Sequence, residues 1–219
     1  TASAFEAGGG VVKNVVYHAP DATEFNSEVT AVGKGSPDAI VGILFPATGC
    51  GVLQPAFEQG LLDTPWYMTD GVKDAGLASL CGLGTALDGM KGTAPGAAAG
   101  EALEAFSAAY SQVSEDGSGN FIFAPQAYDA VMLMAISAAA NGVTGPEIAS
   151  GLVAASSGGE KCIGVACIAL AADGVDVDYV GASGEIELNE AGDPTAATYD
   201  IWTTEGDVNP VLKSVDFGS

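Results

Sequence analysis

Residues 37–71 read PDAIVGILFPATGCGVLQPAFEQGLLDTPWYMTDG, and the fold prediction starts from this stretch. Its first part, Pro37–Phe45, is a short apolar run after a turn signal, which is typical of a buried parallel strand. Small residues follow at Pro46–Gly51, and we interpret them as a loop that opens a helix, Val52–Gln59. A strand followed by a short loop and a helix is the repeating unit of a parallel α/β sheet.

The same unit recurs more briefly after Gly60. Thr64–Met68 is a predicted strand, and Thr69–Gly71 is the turn at its end. In an open parallel sheet, ligands bind just beyond the carboxyl ends of the strands. Phe45 and Asp70 are therefore expected at one edge of the sheet, where an apolar wall would lie beside an anionic point.

The first 95 residues alternate predicted helices and strands, which indicates a doubly wound parallel sheet. A helix over Thr1–Ala7 ends at three glycines, and Val11–Tyr17 is a predicted strand of β-branched residues. Glu24–Lys34 is the next predicted helix, and Met90–Thr93 is the last predicted strand of this layer.

After the turn-rich stretch Thr93–Ala97, the pattern changes to helices and then to strands. A polar, glycine-rich loop is predicted at Ser114–Asn120, and the last part of the chain, with strands at Tyr179–Leu188 and Ala197–Trp202, is expected to be mostly β. The predicted helices of this half are Ala98–Val113, Ala124–Ala140 and Glu147–Ala155.

The charge of the chain is strongly one-sided, with 28 acidic residues, six lysines and a net charge of −22. Such a surface repels phosphate backbones and anionic lipid headgroups, which argues against nucleic-acid binding and against membrane attachment through a basic patch. We interpret the acidity as an aid to solubility, including in a salty environment. No apolar run reaches the length of a transmembrane helix. Thr1–Phe5 resembles the inside of an amphipathic helix and no signal peptide is visible, so further residues are expected before Thr1.

Four cysteines are an even number, which is compatible with disulfides and an oxidising compartment. Cys162 and Cys167 are five positions apart around a glycine, a spacing suited to a small disulfide-closed loop. Cys50 and Cys81 are candidates to pair across the loops that leave neighbouring strands, although the sequence does not fix that pairing.

Metal sites are the alternative use of these residue types. A zinc site is disfavoured because there is no C-x-x-C motif and His18 is the only histidine. Asp173, Asp176 and Asp178 invite a calcium interpretation, but they lack the glycine and glutamate spacing of an EF-hand loop, so a solvated acidic turn is preferred. The sequence therefore predicts neither a metal site nor a cofactor.

Five motifs occur in order along the chain: PWYMTDG at Pro65–Gly71, KGTAP at Lys91–Pro95, FAPQAYDAV at Phe123–Val131, DYVGASG at Asp178–Gly184 and NEAGDP at Asn189–Pro194. Together they resemble the leucine/isoleucine/valine-binding proteins, which are periplasmic or lipid-anchored solute receptors of ABC transporters with the type I binding-protein fold. The resemblance rests on the order of the motifs over nearly the whole chain rather than on any one of them.

The resemblance implies two α/β lobes that are joined by three crossing strands and close around a ligand. Residues 1–95 and 197–219 then form the second lobe, and residues 96–196 form the last part of the first lobe, whose leading half is absent from this chain. An incomplete lobe exposes sheet edge and apolar helix faces. We therefore expect that this segment pairs with another chain, rearranges or was cut from a longer protein.

The resemblance also places the family's loop aromatic on Phe45 and its loop acid on Asp70. Family members often carry tyrosine and glutamate there, so the aromatic lacks a hydroxyl and the acid reaches less far. A ligand ammonium group would pair with Asp70, and the ring of Phe45 would pack on an aliphatic side chain or offer a cation–π contact. Two plainer interpretations remain open, a turn aspartate before Gly71 and a half-buried aromatic at a strand end. The predicted ligand-binding residues are Phe45, Pro46, Ala47, Thr48, Asp70 and Gly71.

The function that the resemblance implies is that of an extracytoplasmic solute-binding protein. It would take a branched-chain or other small amino acid or an amide, with a membrane permease as its partner, and would be periplasmic or extracellular and in some relatives lipid-anchored. A ligand-sensing or adhesion domain of the same fold is the alternative. An acidic extracellular hydrolase is less favoured, because the sequence has no G-x-S-x-G motif, no P-loop and only His18 as a histidine base. No spacing singles out a catalytic carboxylate pair, so no catalytic residue is predicted.

Overall fold

The computed structural model describes residues 2–19, 21–114 and 122–218. The chain is mixed α/β, and the predicted loop Ser114–Asn120 lies, from residue 115 onward, outside the described residues. The helices are α1 (Ala2–Ala7), α2 (Asn26–Val32), α3 (Pro46–Glu58), α4 (Leu77–Leu80), α5 (Glu101–Val113), α6 (Ala124–Asn141), α7 (Gly145–Ala155) and α8 (Ala166–Ala172). The strands are β1 (Ile40–Gly42), β2 (Trp66–Met68), β3 (Lys91–Pro95), β4 (Glu160–Ile163), β5 (Val177–Gly181), β6 (Gly184–Glu185), β7 (Ala197–Thr203) and β8 (Val211–Phe217).

The chain divides into two compact units. Unit 1 comprises Thr1–Ala94 and Ile201–Lys213, and unit 2 comprises Pro95–Asp200 and Ser214–Ser219. The chain passes between the units three times, and each passage lies within a strand, namely β3, β7 or β8.

In unit 1, the strands β1, β2 and β3 are parallel neighbours in a sheet whose full order is β1-β2-β3-β7-β8. Ile40 lies beside Trp66, and Gly42 lies beside Met68. Because side chains alternate along a strand, these residues share one face, and Ile40, Trp66 and Met68 are buried there. The opposite face carries Tyr67, which is half-exposed.

The core of unit 1 lies between that buried sheet face and the helices α2 and α3. Trp202 of β7 is fully buried in it, and a side chain at Gly92 would overlap its indole ring, so this glycine permits the close approach. The largest buried members of this core are Phe25, Val29, Leu53, Trp66, Val72, Leu87 and Trp202.

Unit 2 contains a smaller sheet of order β4-β5-β6, in which β4 and β5 are parallel and β5 and β6 are antiparallel. The long helix α6 packs against α7 and α8. The sequence predicts an apolar stripe along this helix, formed by Tyr128, Val131, Met132, Ala135 and Ile136. Met132 and Ile136 are buried as predicted, whereas Val131 is exposed. The buried core residues of this unit are Met132, Leu133, Ile136, Ala155, Cys167, Ala171, Val177 and Tyr179.

A buried carboxylate, that of Asp129 on α6, connects this helix to the sheet of unit 2. It accepts hydrogen bonds from the Tyr179 hydroxyl (2.8 Å), the Ala182 amide (2.7 Å), and the amide and hydroxyl of Ser183 (2.8 and 2.6 Å). Burial, followed by the charge of Asp129, raises the pKa of the Tyr179 hydroxyl far above its ordinary value, so the phenol keeps the proton that it donates. The Ser183 carbonyl in turn accepts from the Ala98 amide, just after β3.

We expect Asp129→Asn to destabilise unit 2 by about 3 kcal/mol, because an amide nitrogen would face hydrogen-bond donors and leave them unpaired in a buried site. Urea unfolding followed by far-ultraviolet circular dichroism measures this, since α5–α8 supply most of the helix. Asp176→Asn makes the same change of charge at an exposed position of the same unit, and it should stay within about 0.5 kcal/mol of the wild type. Equal losses in the two variants would contradict the anchoring role.

Three predicted features differ in the structure. Val11–Tyr17 is not a strand: it has no neighbouring strand among the described residues, and Tyr17 is 86 % exposed. Pro46–Gly51 is not a loop but the start of α3, because proline fits the first helical turn and Thr48 binds the backbone of Phe45 there. The third feature is α8, which lies in a region that was expected to be mostly β.

Both predicted disulfides are present in the structure. Cys50–Cys81 connects α3 with the end of α4 across 31 positions, and Cys162–Cys167 closes a loop of five positions between β4 and α8. The chain therefore has one long-range and one local covalent link, each within a single unit.

Replacing Cys50 and Cys81 together by serine should cost about 4 kcal/mol, whereas the same change at Cys162 and Cys167 should cost about 2 kcal/mol, since a longer closed loop restricts the unfolded chain more. Urea unfolding of the oxidised proteins measures both values. Tryptophan fluorescence is the natural probe for the first pair, because Trp66 and Trp202 both lie in unit 1. A larger cost for the short loop would overturn the expectation.

Candidate functional site

The candidate site lies where β1 and β2 end. Because these strands are parallel and in register, the segments that follow them leave the sheet side by side. The two segments approach each other closely at Gly71. A side chain at this position would overlap the carbonyl oxygen of Leu44 and lie 3.1 Å from the ring of Phe45. The structure thus brings Phe45 together with the Asp70–Gly71 turn.

Phe45 occupies the position immediately before α3. Its backbone is extended, its amide donates to the Thr48 hydroxyl (3.2 Å), and its carbonyl accepts from the Thr48 and Gly49 amides (3.0 and 2.8 Å). Its ring is 63 % exposed, so the backbone is fixed while the aromatic surface remains available. This exposure distinguishes the residue from a core aromatic.

The three residues after Phe45 form the first turn of α3, and they differ in orientation. Pro46 and Ala47 are exposed, whereas Thr48 is buried and its hydroxyl binds the backbone of Phe45. Thr48 therefore stabilises the helix start, and Pro46 and Ala47 present a small surface beside the aromatic ring.

Asp70 begins a short 3₁₀ turn, Asp70–Val72, directly after β2 and Thr69. Its carboxylate is half-buried and forms no hydrogen bond or ion pair with any residue that the structure describes. A carboxylate in this position can bind a cation or an ammonium group more strongly than one in open water, because partial burial weakens solvent screening.

The Cys50–Cys81 disulfide lies one helical turn beyond Pro46. It ties the start of α3 to α4, and Gly49 of the same turn packs against Val72, the last residue of the 3₁₀ turn that contains Asp70. Both segments of the candidate site are therefore supported from behind by the core of unit 1.

The structure also bears on two features that were considered from the sequence, a metal site and a membrane-spanning helix. Within residues 2–19, 21–114 and 122–218, no three His, Cys, Asp or Glu side chains are clustered so that they could hold a metal ion. None of the helices in the same ranges is both long and apolar enough to span a bilayer.

Asp129 is the polar residue that sequence reasoning missed. It stands inside the motif FAPQAYDAV, but no role was predicted for it. A sequence signal for its role was present, because Asp129 stands between the apolar-face residues Tyr128 and Met132 of α6. An acidic residue on a buried helix face needs hydrogen-bond or charge partners.

We expect Gly71→Ala to destabilise the chain by about 1–3 kcal/mol and to displace Phe45, because the added methyl group would overlap the backbone of the neighbouring segment. Thermal unfolding and the amide chemical shifts of Leu44, Phe45, Ala47 and Thr48 report the two effects. Gly145→Ala is the control, since a methyl group there meets no atom within 4 Å. If Gly71→Ala behaved like this control, the two segments would be farther apart than described.

Comparison with known proteins identifies a family that covers nearly the whole chain. Residues 3–207 match the family described as the receptor family ligand binding region. No curated protein matches the sequence significantly.

Solved structures share the fold at low sequence identity. A leucine-binding protein from Thermotoga maritima is 20 % identical with a TM-score of 0.70, and the match covers 97 % of this chain and 54 % of that one. A solute-binding protein of an ABC transporter from Rhodopseudomonas palustris, in complex with 4-hydroxybenzoate, is 17 % identical with a TM-score of 0.71 and coverages of 99 % and 55 %. A branched-chain amino acid binding protein from Streptococcus pneumoniae, in complex with isoleucine, is 18 % identical with a TM-score of 0.63 and coverages of 92 % and 51 %. This chain therefore has the type I binding-protein fold and spans about half the length of these proteins.

Proposed function

Because this chain belongs to the family of receptor ligand-binding regions, we propose that it binds a small organic solute at the edge formed by Phe45 and Asp70. The observation that carries this proposal is that two groups lie at the same edge. One is the exposed ring of Phe45, and the other is the half-buried carboxylate of Asp70, which has no partner among the described residues. Both sit just beyond the carboxyl ends of parallel strands, where α/β sheets bind their ligands.

The chemistry of this edge favours an amino acid or an amide as the ligand. The Asp70 carboxylate would accept a charge-assisted hydrogen bond from an ammonium or amide nitrogen, and the Phe45 ring would cover an aliphatic side chain. An aromatic acid such as the 4-hydroxybenzoate of one neighbour carries a negative charge, which Asp70 would repel if the two carboxylates met. We therefore propose a small, neutral or zwitterionic, nitrogen-bearing solute.

We further propose that unit 1 corresponds to the second lobe of a two-lobed binding protein and unit 2 to part of the first. The neighbours are about twice as long as the matched region, so the remaining polar groups around the ligand would come from polypeptide outside this chain. We also propose a role in an ABC transporter, with a membrane permease as partner, which is supported by the likeness to a solute-binding protein of such a transporter. The two disulfides support an extracytoplasmic location.

A binding role is preferred to an enzymatic one. The neighbours compared above are binding proteins, and the proposed site residues, Phe45–Thr48 and Asp70–Gly71, include one carboxylate and no histidine, cysteine or serine. Selective, reversible binding is the activity that such a set of groups can perform.

The test is a titration of the chain with leucine, isoleucine, valine, acetamide and benzoate, followed by nuclear magnetic resonance. We expect the nitrogen-bearing ligands to shift the amide signals of residues 45, 47–48 and 70–71 in a saturable way. Asp70→Asn should weaken that binding about 10- to 100-fold, the effect of losing a charged hydrogen-bond partner.

Asp74→Asn is the matched control, because it removes an exposed carboxylate four positions away and should leave the affinity unchanged. Equal losses in both variants would indicate a general effect of charge. Saturable binding that is insensitive to Asp70→Asn would move the site elsewhere, and the absence of binding by every nitrogen-bearing ligand would contradict the proposal for this chain.

A further inference from the structure

Unit 2 contains a cavity of about 300 Å³ that has no part in the site described above. It is open to solvent on one side and is lined by α5, the start of α6, the segment between β4 and α8, and the end of β5. Its walls include Ala105, Phe106, Tyr128, Val165, Tyr179 and Ala182. This volume is at the lower end of the range for small-molecule sites.

The walls of this cavity are apolar and aromatic. The rings of Phe106 and Tyr128 have their centroids 5.3 Å apart at an interplanar angle of 53°, so they present a tilted aromatic corner. The Tyr179 hydroxyl is engaged by Asp129. Since water in a cavity needs two to four polar partners, this lining favours an apolar occupant over ordered water.

The walls are also held in place. The segment from Ile163 to Ala166 is closed by the Cys162–Cys167 disulfide, and Cys167 is fully buried. On the opposite side, Tyr179 and the Ala182 amide both bind Asp129. A cavity whose walls are fixed before binding loses little entropy when a ligand enters.

The charge of the lining and of the whole chain further restricts which kind of ligand can occupy the cavity. Among the residues that the structure describes, the lining contains no lysine, and the chain carries a net charge of −22, so an organic anion meets no counter-charge from them and is repelled by the surface. The described part of the lining also has no acidic side chain to receive an organic cation. An uncharged ring remains as the best match to the volume and to the aromatic corner.

We propose that this cavity is a second binding site, which takes an uncharged single-ring aromatic molecule. It is independent of the proposed solute site: that site is in unit 1 and depends on Asp70, whereas the cavity lies entirely in unit 2. The chain would thus recognise a charged nitrogen group at one place and a neutral ring at another.

The test uses toluene as the probe and benzoate as its charged counterpart, with the amide signals of the whole chain followed by nuclear magnetic resonance. Toluene should bind saturably and shift the signals of residues 105–106, 163–166 and 179–182, and benzoate should bind about tenfold more weakly or not at all at these positions. Asp70→Asn should not change the affinity for toluene, so failure of the solute proposal and failure of this one give different results.

Ala105→Phe is the blocking variant, because position 105 lines the cavity from an exposed helix surface and a larger side chain can fill the space. We expect it to weaken toluene binding about tenfold or more, whereas Ala108→Phe, exposed on the same helix outside the lining, should not. Ala166→Leu, at the disulfide-closed segment, replaces it if the first variant does not fold. Binding that survives a folded blocking variant, or shifts confined to other residues, would overturn the proposal.

Discussion

The carboxylate of Asp129 imposes the strictest physical constraint on unit 2. A buried charge is tolerated only when donors surround it, and four donors from β5 and the turn after it do so here. The helix α6, the strand β5 and the turn therefore have to assemble together, since any one of them alone would leave the charge or its donors unpaired. The same turn accepts a hydrogen bond from Ala98, so the constraint extends to the chain that follows β3.

Much of the fold could be predicted from sequence because local pattern and tertiary environment agree. The apolar run before Phe45 contains β1, although only one face of it is buried, with Ile40 and Leu44 inside and Val41 and Ile43 exposed. On α6, Met132 and Ile136 are buried as the helical period of its apolar residues predicts. Val11–Tyr17 fails because β-branched residues favour a strand only when a neighbour supplies hydrogen bonds, and no strand pairs with it among the described residues. The helix α8 was missed because its short run of alanine, cysteine and isoleucine lacks a distinct period.

The position of the candidate site was predictable, because it depends only on where the parallel strands end. Parallel strands in register bring Phe45 and Asp70 to one edge, and this needs only the strand assignments. The inward orientation of Thr48 was not predictable, because it depends on α3 beginning at Pro46 rather than several residues later. The role of Asp129 was not predictable either, because its partners are about 50 positions away, beyond the reach of any local pattern.

The early start of α3 has a consequence for how such a site diverges between relatives. Because the backbone after Phe45 is helical at once and is joined to α4 by Cys50–Cys81, the positions of the side chains at the edge are set by the helix rather than by a variable loop. At the proposed site, a change of residue at position 45 or 70 would alter the chemistry presented to a ligand without rebuilding the backbone. Single substitutions there would therefore change ligand preference while the scaffold stays constant.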